Sequence, residues 1–150
     1  MLNILVVHGP NLNLLGDREP EVYGSMTLQD VDERIATKAS ELDIAPKFFQ
    51  SNHEGVIIDF LHENRKTADG LVINPGALTH YSYALRDAIA GIQVPAVEVH
   101  LSDIYNREPF RRVSVTKEVC LDQVSGKGVD SYLEGLKILA DYIRKDPSNI

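Results

Sequence analysis

Short apolar runs alternate with amphipathic stretches along the whole chain. The apolar runs, rich in β-branched and aliphatic residues, predict buried strands. The predicted strands cover residues 4–7, 47–51, 71–73, 95–101 and 119–124. Pro46 is expected to open the second of them, and Asn74-Pro75-Gly76 should end the third, because proline cannot donate to a sheet ladder.

Apolar residues recur at helical spacing in the segments between these strands. The predicted helices cover residues 28–41, 57–65, 81–90 and 131–144. Thr27 and Asp30 stand three residues apart and predict a capping box at the start of the first helix. Thr79 is predicted as the N-cap of the third helix, which should end at Gly91.

This alternation of strands and helices predicts an α/β fold with a parallel sheet covered by helices on both faces. Five β/α units in 150 residues predict a flavodoxin-like three-layer sandwich, with a five-stranded parallel sheet in the order 2-1-3-4-5. Such a sheet binds ligands outside the carboxyl ends of its strands where the strand order reverses, here strands 1 and 3. The chain, residues 1–150, is expected to be a single domain.

The long loop after the first strand, residues 8–24, is the first candidate for a functional segment. A connection of this length in a compact domain is functional or disordered, and its leucines argue against disorder. Within it, Arg18 lies five residues before Tyr23. A tyrosine alone is a poor base near neutral pH, but a guanidinium within reach favours the tyrosinate. Tyr23 by itself could also be an ordinary surface aromatic.

Polar residues stand at the ends of the other strands. Glu98 and His100 are two residues apart at the end of strand 4, so both side chains share one face. A carboxylate beside an imidazole holds one tautomer and favours the protonated ring, which suits a general acid. Asn11 and Asn74 follow strands 1 and 3. Alternatively, His100 could be a core histidine whose hydrogen bonds are satisfied, and Asn11 and Asn74 could simply form turns.

Composition and charge exclude several classes of function. A net charge of −7 and the absence of basic runs argue against nucleic acid binding. The single cysteine, Cys120, cannot form an internal disulfide, and the histidine spacing predicts no metal site. No signal peptide or membrane segment is expected, which favours a cytoplasmic protein. Neither a GxGxxG nor a GxxxxGK loop is present, which disfavours nucleotide binding.

Several dispersed segments together resemble one family, the type II 3-dehydroquinate dehydratases. The resemblance rests on 9–16 with Arg18 and 23–24, on 50–55, on 73–77, on 79–80 with Asp87, on 98–102, and on 107–108 with 110–111. It extends over essentially the whole chain, and the motifs are long.

The resemblance implies a hydro-lyase of the shikimate pathway, which serves aromatic amino acid biosynthesis. It would convert 3-dehydroquinate to 3-dehydroshikimate through an enolate, without a metal or organic cofactor. In this chain Tyr23 would be the base, kept as tyrosinate by Arg18. Asn11 would stabilise the enolate oxygen through a water. His100, oriented by Glu98, would protonate the departing hydroxyl.

The resemblance also implies contacts to the substrate, a lid and an assembly. The implied substrate-binding residues are Asn74, His80, Asp87, Leu101, Ser102, Arg107 and Arg111. The loop from about Leu15 to Tyr23 would close over the substrate. Family members form dodecamers, as a tetramer of trimers, in which the residue matching Asp87 reaches a neighbouring subunit's site.

Two alternatives stay open from the sequence. The chain could be a non-catalytic flavodoxin-like binding or assembly protein, or it could act on a related cyclic hydroxy-ketoacid, as in catabolism of quinate. Two neighbouring classes are disfavoured. His8-Gly9-Pro10-Asn11 is not the hydroxyl- and glycine-rich phosphate loop of a flavodoxin, and Asn74 stands where a receiver domain needs a phosphorylatable aspartate.

Overall fold

The computed structural model describes residues 1–17, 21 and 25–145 of the chain. Its strands are β1 (Leu2–His8), β2 (Ile44–Gln50), β3 (Gly70–Asn74), β4 (Ala96–His100) and β5 (Asp122–Ser125). Its α-helices in these residues are α1 (Leu28–Glu41), α2 (Glu54–Asn64), α3 (Tyr83–Gly91) and α4 (Val129–Lys145). In the same part of the chain, no helix is long and apolar enough to cross a bilayer.

The five strands form one parallel sheet in the order β2-β1-β3-β4-β5, which confirms the predicted flavodoxin-like topology. In the register of β1 with β3, His8 lies opposite Asn74. The carboxyl ends of these two strands therefore finish level with each other, at the point where the strand order reverses.

Two apolar clusters cover the faces of the sheet. The alternation of β1 sends Ile4 and Val6 to one cluster, with α1 and α4, while Leu5 and Val7 enter the other, with α2 and α3. Both faces of β1 and β3 are buried, as expected for central strands of a doubly covered parallel sheet. Because helices cover both faces of the sheet, the carboxyl ends of its strands are held in place along one edge.

The second strand begins earlier than predicted. β2 starts at Ile44, so Pro46 lies inside the strand instead of opening it. The sheet tolerates the proline because β2 is an edge strand of the described sheet, next to β1.

The prediction that Thr79 caps the third helix is wrong. Thr79 lies in a 3₁₀ turn, Gly76–His80, and the cap of α3 is Ser82, whose side chain accepts from the backbone N–H of Leu85. The Thr79 hydroxyl instead donates to the buried carboxylate of Glu98 (2.8 Å). A buried charge is the stronger acceptor, so it competes successfully for the hydroxyl. At α1 the predicted capping box of Thr27 and Asp30 is confirmed.

The fifth strand is shorter than predicted, because β5 begins at Asp122 and residues 117–119 form a 3₁₀ turn. The apolar residues at the predicted start of this strand belong to the core instead. Val119 and Cys120 pack against the apolar cluster beneath α2 and α3 instead of joining the sheet.

Candidate active site

A cavity of about 300 Å³ opens at the carboxyl edge of the sheet, beyond β1, β3 and β4. Its lining contains eight of the residues expected from the sequence to bind or act on a ligand. They are Asn11, Asn74, His80, His100, Leu101, Ser102, Arg107 and Arg111. The structure thus brings together residues that are up to 100 positions apart in the chain, at the place where the fold is expected to bind a ligand.

Glu98 and His100 form a buried pair at the end of β4. His100 Nε2 donates to Glu98 Oε2 (2.7 Å), because a carboxylate that is ionised can only accept. Glu98 is fully buried and His100 is 4% exposed. The bond to Glu98 occupies Nε2 and leaves Nδ1 as the second functional atom of a ring that lines the cavity. The predicted sharing of one face is confirmed.

Four further side chains hold the Glu98 carboxylate. Oε2 accepts from Thr79 (2.8 Å), Gln123 (2.6 Å) and Ser114 (3.1 Å), and Oε1 accepts from Thr116. Burial raises the pKa of Glu98. The hydrogen bond and the charge of His100, together with the hydrogen bonds from Thr116 and Gln123, lower the pKa by more than burial raises it, to about 2. The carboxylate is therefore ionised at neutral pH and fixed in orientation.

Sequence reasoning missed this supporting set. Ser114 and Thr116 stand two residues apart, so a search for hydroxyls of alternating pattern near a buried acid could have suggested them. Thr79 carried a competing local signal as a helix cap, and Gln123 carried no signal at all.

The segment that carries Asn11 is fixed by the end of β2 and the turn after it. The backbone N–H of Asn11 donates to Asn52 Oδ1 (2.9 Å), and Gln50 Nε2 donates to the carbonyl of Gly9 (3.2 Å). Asn11 has a left-handed backbone (φ 71°), a conformation that asparagine tolerates. A Cβ at Gly9 would lie 2.4 Å from the carbonyl oxygen of Pro75, so glycine is required where these two loops meet.

The described lining of the cavity is cationic, although the protein as a whole is acidic. It includes Arg107 and Arg111 and no carboxylate side chain. Arg107 Nη1 donates to the Ser102 hydroxyl at 3.4 Å, and Arg111 Nε donates to Glu108. Local cations of this kind attract an anionic ligand whatever the net charge of the protein.

His80 lies at the rim of the same cavity. Its Nδ1–H donates to the carbonyl of Val113 (2.6 Å), which leaves Nε2 as an acceptor in the neutral ring. Burial lowers the pKa of His80, and the nearby charges of His100 and Arg111 lower it further, against the opposing effect of the bond to Val113. His80 is therefore suited to accept a hydrogen bond from a ligand hydroxyl at neutral pH.

Four of the expected site residues do not line this described cavity, among them Glu98, which is fully buried and bonded to His100. Arg18 and Tyr23, the expected base and its partner, lie outside the residues that the structure describes, as does most of the expected lid. Asp87 is exposed on α3 and does not line the cavity of its own chain. Across residues 1–17, 21 and 25–145 no group of three or more His, Cys, Asp or Glu side chains is arranged to hold a metal.

The fold and the cavity define a flavodoxin-like α/β protein whose ligand site combines a buried carboxylate–imidazole pair with two arginines. A family model described as dehydroquinase class II matches residues 2–140 of the chain. The chain belongs to this family.

Individual relatives and a solved structure agree with the family match. A 3-dehydroquinate dehydratase of Halothermothrix orenii is 52% identical over 145 residues, covering 97% of this chain and 98% of that protein. One of Trichodesmium erythraeum is 50% identical over 144 residues, covering 96% of each. The crystal structure of a type II dehydroquinase from Butyrivibrio crossotus matches with a TM-score of 0.90 and 44% identity, over 92% of this chain and 97% of that one.

Proposed function

We propose that this chain dehydrates 3-dehydroquinate to 3-dehydroshikimate, a step of the shikimate pathway, as a single catalytic domain. The observation that carries the proposal is the buried Glu98–His100 pair opening into a cavity that asparagines and arginines line. Elimination of water beside a ketone needs a base for the carbon acid, a stabiliser for the enolate and an acid for the leaving oxygen. The names of the relatives supply the identity of the substrate.

His100 acts as the acid for the leaving hydroxyl. The Glu98 carboxylate accepts from Nε2 and stabilises the imidazolium, so the proton given to the hydroxyl comes from Nδ1 on the cavity side. Removal of the hydroxyl as water prevents a hydroxide from forming as a separate ion. The four donors around Glu98 keep the pair in place during the reaction.

The carbon acid is deprotonated by Tyr23 as tyrosinate, with Arg18 stabilising the anion. The electrons left behind form an enolate, whose oxygen Asn11 stabilises through a water. Collapse of the enolate then expels the hydroxyl that His100 protonates. The proton from the carbon stays on Tyr23 and His100 gives its proton to the water that leaves, so Tyr23 then loses a proton to solvent and His100 regains one before the next turnover.

The substrate carboxylate is bound at the end of β4. The carbonyls of Leu101 and Ser102 accept from Gly128 and Gly126, which fixes the orientation of the peptides in this segment. Their N–H groups and the Ser102 hydroxyl hold the carboxylate, with Arg107 beside the hydroxyl at 3.4 Å. His80, Asn74 and Arg111, which line the same cavity, bind the ring hydroxyls.

The test is to mix the purified protein with 3-dehydroquinate in the presence of a chelator and to follow the ultraviolet absorbance of the conjugated enone. Appearance of this band in the native protein and its loss in His100→Ala would support the proposal. A folded native protein that produces no band would refute it and would favour the non-catalytic binding protein. Deleting the gene in the source organism and testing growth without aromatic amino acids and growth on quinate separates biosynthetic use from use in quinate catabolism.

We propose further that the protein assembles as a dodecamer, a tetramer of trimers, with Asp87 reaching a neighbouring subunit's cavity. In support, Asp87 is exposed on α3, Tyr83 four residues earlier on the same helix is 66% exposed, and Tyr81 just before the helix is 62% exposed. Sedimentation equilibrium gives the mass directly. Co-expressed Asp87→Ala and His100→Ala chains should regain activity in mixed trimers, and the Asp87→Ala chain alone should be impaired.

A cytoplasmic location belongs to the same proposal. The single cysteine is consistent with it, because the protein needs no disulfide and so no oxidising compartment. Fractionation of the source cells and detection with an antibody would test it.

A further inference from the structure

A cluster of polar side chains, buried except for the partly exposed Asp32, lies on the face of the sheet that α1 and α4 cover. It joins Asp32 on α1, His8 at the end of β1 and Tyr132 on α4 to Asn74 at the end of β3. His8 is 1% exposed and Tyr132 is fully buried. Asn74 alone of the four lines the described cavity. The cluster therefore connects a cavity residue to groups that the proposed mechanism does not use.

The hydrogen bonds of this cluster run in one direction. The Asp32 carboxylate can only accept, so His8 Nε2–H donates to Asp32 Oδ1 (2.7 Å). A neutral imidazole that donates from Nε2 accepts at Nδ1. The buried Tyr132 hydroxyl lies 2.8 Å from His8 Nδ1 and needs an acceptor for its own proton, so it donates to that nitrogen. The charge on Asp32 thus determines which tautomer His8 adopts and which way the tyrosine hydroxyl points.

The same direction continues into Asn74. Burial raises the pKa of Tyr132, which keeps the phenol neutral, while a hydrogen bond from the Asn74 side chain opposes this rise. Asn74 is the register partner of His8 on the neighbouring strand, which brings its amide beside the Tyr132 hydroxyl. With its proton committed to His8, the Tyr132 oxygen acts towards this amide as an acceptor and so faces Asn74 Nδ2–H. Asn74 Oδ1 in turn accepts from the backbone N–H of Gly76 (3.0 Å). The Asn74 amide therefore has its oxygen towards Gly76 and its nitrogen towards Tyr132.

We propose that Asp32, His8 and Tyr132 are positioning residues that hold the Asn74 amide so that it presents an N–H donor to the substrate hydroxyl in the cavity. An asparagine amide has nearly the same shape after a 180° flip, but the flipped group would present its oxygen instead. A donor is needed there, because the departing oxygen gains negative charge as its bond to carbon breaks. The identity of the ligand rests on the proposed function, whereas the orientation of Asn74 does not.

The first test compares Tyr132→Phe with Tyr142→Phe, the same change on the exposed side of the same helix. Tyr132→Phe should lower kcat/KM for 3-dehydroquinate about tenfold, mainly through kcat, in keeping with the loss of one positioning hydrogen bond. Tyr142→Phe should have no effect. If Tyr132→Phe does not fold, Asp32→Ala replaces it, with Glu33→Ala on α1 as its control.

A double-mutant cycle separates positioning from a merely structural effect. In an Asn74→Ala background the cluster has no amide to orient, so adding Tyr132→Phe should cost less than about twofold. An equal loss in both backgrounds would overturn the proposal, because it would mean that Tyr132 acts on the enzyme without Asn74.

An NMR measurement tests the orientation without substrate. The ¹⁵N shifts of His8 should show a neutral ring with its proton on Nε2. The side-chain amide signals of Asn74, assigned by their absence in Asn74→Ala, should move in Tyr132→Phe and stay in place in Tyr142→Phe. Unmoved signals in Tyr132→Phe would refute the inference. If they move but the native protein shows no turnover, the proposed function fails and the positioning cluster stands.

Discussion

Replacing Glu98 by glutamine removes the negative charge at the centre of the active-site network and keeps its shape. In the native protein the two carboxylate oxygens accept five hydrogen bonds, from His100 and from four uncharged side chains. A glutamine presents an NH₂ group in place of one oxygen. Since its neighbours there are donors, at least one buried donor loses its partner. We expect Glu98→Gln to lose both stability and activity.

The magnitude for stability follows from the pKa of Glu98. It lies at about 2, against an ordinary 4.5, because the bonds and charge around the carboxylate outweigh the opposing effect of burial. This difference corresponds to about 3 kcal/mol in favour of the ionised folded state. The folded-state pKa is the lower one, so the stabilisation is complete above about pH 4.5 and is lost as the pH falls towards 2.

The magnitude for activity follows from the part proposed for His100. Without the negative charge of the carboxylate, the imidazolium form of His100 is no longer stabilised. A general acid contributes a factor of about 10²–10⁴, so kcat should fall by at least about 100-fold.

Urea unfolding followed by circular dichroism at pH 7 and at pH 3 measures the stability term. Glu118→Gln is the matched control, because Glu118 forms an exposed ion pair with Arg86 (3.2 Å) that is worth less than about 1 kcal/mol. The difference between native protein and Glu98→Gln should be about 3 kcal/mol at pH 7 and smaller at pH 3. Equal unfolding midpoints for Glu98→Gln and Glu118→Gln at pH 7 would refute the reasoning.

Three other predictions concern the base, a tight contact and the cysteine. Tyr23→Phe should abolish turnover with an unchanged circular dichroism spectrum, and normal turnover would exclude Tyr23 as the base. Arg18→Ala should move the titration of Tyr23, followed by phenolate absorbance, to higher pH, and an unmoved titration would exclude Arg18 as the group that stabilises the tyrosinate. Gly9→Ala should cost about 1–3 kcal/mol in urea unfolding, because its Cβ would lie 2.4 Å from a backbone oxygen, whereas Gly55→Ala meets no atom within 4 Å and should cost nothing. Burial, with the charge of Glu98, raises the pKa of Cys120 to about 12, so a thiol reagent at pH 8 should react much faster after unfolding, and equal rates would contradict this.

The outline of the fold could be read from periodicity and spacing. Buried parallel strands produce continuous apolar runs and covering helices produce a 3.6-residue repeat, so the strand order followed from their alternation. Local rules also placed Glu98 and His100 on one face, because successive side chains of a strand alternate. The bounds of elements were less certain. Pro46 and Thr79 were misjudged because an edge position in the sheet and a buried carboxylate, both tertiary features, outweighed the local preference.

The sequence by itself determined the class of fold and the edge of the sheet where the candidate site lies, since both follow from local periodicity. Most of the residues expected in that site came from the resemblance to the family. Only the tertiary structure decided which side chains support that site. Gln123 lies 25 residues from Glu98 and Tyr132 lies 124 residues from His8, yet each pair is in direct contact. Contacts of this kind leave no periodic signal, because they depend on how helices and loops pack over the sheet and on the need of each buried polar group for a partner.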